Sequence, residues 1–66
     1  MNERGYRLYH LSREGRIRGV FHHDFETDAA AMGHAHQMLE RHPGVEVWRA
    51  TRLVGALGRP VSSDYP

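Results

Sequence analysis

Residues 17–31, IRGVFHHDFETDAAA, decide the fold, because within them the pattern changes from that of a strand to that of a helix. Branched and aromatic residues alternate up to Phe25. A strand here would place Ile17, Gly19, Phe21, His23 and Phe25 on one face and Arg18, Val20, His22 and Asp24 on the other. Glu26, Thr27 and Asp28 then open a helix. Thr27 is suited as N-cap, its hydroxyl accepting an otherwise orphaned amide hydrogen bond, and Asp28 complements the positive end of the helix dipole. The Ala-rich run that follows predicts a helix over residues 28–41, stopped by His42, Pro43 and Gly44. At about 100° per residue, Ala31, Met32, Ala35, Met38, Leu39 and His42 gather on one side, which is the expected core face.

Upstream, residues 6–11 (YRLYHL) read as a strand, joined to the next by a polar link in which Gly15 supplies the positive φ that hairpin loops often require. Downstream, residues 45–48 predict a third strand. Residues 50–57 continue in β-favouring residues, as one long strand bent near Ala50 and Thr51 or as two short ones. Residues 58–66 have no periodicity and contain two prolines, so a loosely ordered tail is expected after a single domain over residues 1–57. The expected class is α+β: a ββαβ order, with room for a further strand, in a small antiparallel or mixed sheet with one helix across one face. One helix covers one face only, yet apolar residues occur on both. Leu8 opposes Tyr9 and Leu11, Phe21 opposes Val20, and Val47 opposes Trp48 and Val54.

The sequence around Tyr6, Arg7, Leu8 and Tyr9, the Gly15-Arg16-Ile17 turn, Phe25 before Thr27 to Ala31, and Val47-Trp48-Arg49 followed by Arg52-Leu53-Val54 resembles short uncharacterised bacterial proteins grouped as domains of unknown function. The resemblance covers residues 6–57 and implies a fold without bringing an activity. A weaker resemblance is to the small ββαβ antitoxin-type partner domains, which share the hairpin and the Ala-rich helix but usually carry a DNA-binding appendage.

Composition narrows the function classes. A chain of 66 residues without cysteine has no disulfide or thiolate metal site, and a domain this short buries only about 60% of the surface of its unfolded form. Oligomerisation is the expected compensation. No run approaches the roughly 20 apolar residues of a membrane span, and the opening residues lack a signal-peptide pattern, so a cytoplasmic protein is expected. The formal net charge of +1 is far from that of a dedicated nucleic-acid binder. The basic residues are all arginine, as a GC-rich coding sequence would produce, and they cluster before residue 19 and after residue 48. The acids cluster between.

No constellation for catalysis stands out. Ser12 falls in a hairpin loop, Ser62 and Ser63 in the tail, and Asp24, Glu26 and Asp28 at a helix entrance, so no enzyme and no cofactor are expected. The six histidines raise metal binding. His34 and His36 point apart on a helix, however, and His22 and His23 face opposite ways on a strand. That leaves only a weak combination of His10, His22 and Asp24, and no metal is expected. Two partner classes remain. A homodimer, or another protein partner, would use Trp48, Arg52, Val54 and Ala56 on the face or edge opposite the helix. Nucleic acid, the alternative, would be held by Arg7, Tyr9, Arg18, Arg49 and Arg52, through stacking and phosphate neutralisation on a sheet face.

Overall fold

The computed structural model describes residues 5–58, which form β1 (Gly5–Leu11), β2 (Ile17–Asp24), α1 (Asp28–Met38), β3 (Gly44–Arg49) and β4 (Arg52–Gly58). The strands make one antiparallel sheet in the order β2-β1-β3-β4. The α+β class is as the sequence implies. The stretch after β3 resolves into a separate strand that pairs back on β3 within the chain, giving a ββαββ order. Gly58 closes β4, and the rest of the expected tail lies outside the described residues.

Local chemistry accounts for the joints. In the β1–β2 loop the Ser12 hydroxyl accepts from the Glu14 and Arg16 amides, both at 3.2 Å, and Gly15 takes a φ of 85°. Thr27 caps α1, its hydroxyl accepting from the Ala30 amide at 3.0 Å. The helix ends at Met38 rather than at residue 41. The amides of Leu39, Glu40 and Arg41 bond three residues back, to His36, Gln37 and Met38, in a tightened last turn. Pro43 disfavours helical backbone in the residue before it, so the chain must leave the helix here. The β3–β4 link is a two-residue turn, Ala50 and Thr51, with Ala50 at a φ of 55°.

The core lies between α1 and one sheet face. Tyr6 and Leu8 of β1, Val45 and Val47 of β3, and Ala31 and Ala35 of α1 are each at most 1% exposed. Phe25, Met32, Met38, Leu39, Val54 and Leu57 pack around them. The two alanines let the helix come close, and at Gly55 the end of Met32 fills the space of a side chain: a Cβ there would stand 2.7 Å from Met32 Cε. The helix backbone lies over β3, β4 and part of β1 and does not approach β2.

Two bulges change which residues share a face. Between β1 and β2, His10 pairs with Gly19 but Leu11 pairs with Ile17, leaving Arg18 as the extra residue. Gly19, Phe21 and His23 therefore lie on the helix side, with Tyr6, Leu8 and His10 opposite them in the ladder, while Ile17 turns to the far side with Leu11. Strict alternation had put Ile17 beside Phe21. Between β3 and β4, Val47 pairs with Gly55 and Trp48 with Leu53, so Val54 is extra. It packs against the core instead of supplying the far face.

Candidate functional site

The sheet face away from α1 carries Arg7, Tyr9 and Leu11 from β1, Ile17, Val20 and His22 from β2, Glu46 and Trp48 from β3, and Leu53 and Ala56 from β4. Arg7 donates to the Tyr9 hydroxyl at 2.8 Å and to the Ala50 carbonyl, with its guanidinium 5.6 Å from the Tyr9 ring centroid. The Trp48 indole N–H donates to Glu46 Oε1 at 3.0 Å. Arg7, Tyr9, Ile17, Glu46 and Trp48 line a shallow depression of about 260 Å³. Its polar groups are thus already ordered, while the neighbouring aliphatic side chains face outward.

Of the residues expected at a dimer interface, Trp48 and Ala56 lie on this face. Val54 does not, and Arg52 turns to the opposite side, where its guanidinium meets Asp28 Oδ2 at 3.1 Å. The residues expected to contact nucleic acid are likewise divided. Arg7 and Tyr9 share the open face, Arg18 occupies the β2 bulge, and Arg49 and Arg52 flank Asp28.

Asp28 is the hub of a tie between the helix start and the sheet. The Tyr6 hydroxyl donates to Oδ1 at 2.7 Å, Arg49 lies 3.8 Å from the same oxygen, and the Arg49 guanidinium stands 5.6 Å from the Tyr6 ring centroid. The Tyr6 hydrogen bond and then Arg52 hold the Asp28 carboxyl below its ordinary pKa. The same hydrogen bond, with burial, pushes the Tyr6 phenol up.

A second feature, built from histidines scattered along the sequence, lies between α1 and the uncovered strand β2. His10 and His42 have ring centroids 4.2 Å apart, and His23 and His34 are 4.9 Å apart. Phe21 adjoins the first pair, 5.4 Å from His10, and Phe25 adjoins the second, 5.5 Å from His34. Between them runs a groove of about 260 Å³ lined by Phe21, His23, His34, Gln37, Met38, Arg41 and His42. The His10 ring lies across Gly19, its ladder partner, where any side chain would collide with it. Burial, then His42 and Arg18, lower the His10 pKa. His22 lies on the opposite sheet face, so His10, His22 and Asp24 are not brought together as ligands. Among the described residues no group of three or more His, Asp or Glu is placed to hold a metal ion. Sequence offered one signal for the groove, the inward position of His23 beside Phe21. The pairings with His34 and His42 join elements remote along the chain.

No family model matches the chain, and neither a curated protein nor a solved structure matches it. Function therefore has to be argued from the two faces of the sheet. Among the described residues no helix is long and apolar enough to cross a membrane.

Proposed function

We propose that the chain is a non-catalytic self-association module, forming a homodimer by packing the open face of its sheet against that of a second copy. The observation that carries this reading is apolar surface left uncovered at both edges of this face: Ile17 is 59% exposed and Val20 39% on β2, and Leu53 47% on β4, with Tyr9 and Trp48 on the strands between. Domains are built of packed layers, and a sheet with apolar residues on both faces is completed by a second sheet stacked about 10 Å away. Charge favours a second copy as the occupant. Arg7 and Glu46 share this face on adjacent strands, and a two-fold axis can set each against its opposite on the partner. Commitment of Asp28 to Tyr6 and Arg52 supports a structural use of this acid.

Sedimentation equilibrium on the full chain at micromolar concentrations should show a dimer. Ile17→Glu and Leu53→Glu, which introduce charge at exposed positions on this face, should give folded monomers. A wild-type monomer throughout that range would overturn the reading. Salt-dependent capture of mixed RNA and DNA, weakened by Arg7→Ala, would instead point to nucleic acid as the occupant.

A further inference from the structure

Because α1 stops short of β2, the inward row of that strand has no helix above it, and Phe21 is left 44% exposed on the side where the rest of the sheet is buried. The groove that results has a distinct chemistry. Its lining contains the basic side chains His23, His34, Arg41 and His42, the Gln37 amide, and the apolar surfaces of Phe21 and Met38, with no carboxylate among the described residues. Asp24 pairs with Gly5 on the other face of the sheet, and Glu26 lies in the β2–α1 link. Planar rings stand at both ends, Phe21 with His10 and His42, and Phe25 with His23 and His34. The volume of about 260 Å³ falls just below the roughly 300 Å³ at which pockets for drug-sized ligands begin. It fits a molecule of one ring.

We infer that this groove binds a small planar aromatic anion of the single-ring carboxylate class, its ring against Phe21 and Met38 and its charge against Arg41 and His42. A flat apolar ring removes the exposed Phe21 surface from water, and aromatic pairs gain further from edge or offset contact. Among the described lining residues the carboxylate meets donors without a competing acid. The guanidinium can hold it through two parallel hydrogen bonds, which a neutral isostere cannot match.

The imidazole pairs give the site a signature. Among the described residues the charged and titratable groups lining the groove are His23 from β2, His34 from α1, and Arg41 and His42 from the turn after it, with His10 of β1 stacked beside His42 and Arg18 acting on His10. All carry positive charge when protonated. An anion bound beside these imidazoles favours their charged forms, so binding is accompanied by proton uptake and tightens as pH falls towards the imidazole range.

Isothermal titration calorimetry of the full chain with benzoate and with benzamide tests this, at pH 8 and pH 6, in buffers of unlike ionisation enthalpy. Benzoate should bind at one site per chain, about tenfold more tightly at the lower pH and with net proton uptake, whereas benzamide binds more weakly at both. Arg41→Gln, a change on an exposed turn, should weaken benzoate about tenfold, while His22→Gln on the opposite face leaves it unchanged. Equal affinity for benzoate and benzamide would overturn the inference. So would an absence of saturable benzoate binding at millimolar concentration, or indifference to Arg41→Gln. The open face takes no part in this site, so the oligomeric state and the ligand can fail independently.

Discussion

At the residue scale, Asp28 shows how one side chain can serve two structural levels. Its position in the first helical turn is legible from Thr27 and the alanines that follow, and the helix dipole alone would favour an acid there. Its bonds to Tyr6 and Arg52 are not legible, because those residues lie far away in the chain and reach Asp28 only after the sheet has formed. These contacts depress its pKa below the ordinary 3.8, so the folded state binds the proton less well than the unfolded state. The resulting stabilisation is fully present above that pH and is lost as pH falls through the folded-state value. Urea denaturation of wild type and Asp28→Asn should therefore show a stability gap at neutral pH that closes as pH drops below 3.8. A gap independent of pH would mean that the aspartate contributes through shape alone.

At the element scale, the β3–β4 hairpin is where sequence pattern and structure differ most. Residues 45–57 carry β-favouring side chains without an Asn-Gly or Asp-Gly signal, so the reversal at Ala50 and Thr51 is hidden. Ala50 adopts the positive φ of 55° that such a turn requires, without being a residue that favours it. A left-handed backbone costs a non-glycine residue about 1–2 kcal/mol, part of which glycine returns to the unfolded chain as entropy. Ala50→Gly should accordingly raise the unfolding free energy by up to about 1 kcal/mol, read as a higher urea midpoint at unchanged slope. A destabilised variant would show that the Ala50 methyl group makes a contact worth more than the backbone strain. The helix was more transparent, since its cap and its small-residue face are local. Only its last turn, tightened ahead of Pro43, fell outside the periodic pattern.

At the scale of the whole molecule, a four-stranded sheet with one helix has too little second layer for its apolar surface, and the deficit appears in two places. One is the open face with Ile17, Val20 and Leu53, and the other is the strip of β2 that α1 does not reach. The proposed association through the first would make stability depend on concentration. Each tenfold increase in protein should add up to about 1.4 kcal/mol, which for a chain this short raises the thermal midpoint by several degrees. A midpoint constant over about a hundredfold range of concentration would exclude a dimer linked to folding. Composition and periodicity by themselves determined the class, the positions of the first hairpin and the helix start, and the buried face of α1, because propensity, capping and alternation act over a few neighbouring residues. Only the tertiary structure decided which sheet face α1 covers, that β4 returns to β3, that bulges send Ile17 outward and Val54 inward, and that His23, His34 and His42 line one groove with His10 stacked beside it. Those outcomes depend on ladder register and on how far a short helix can reach across a sheet, which no local stretch of sequence encodes.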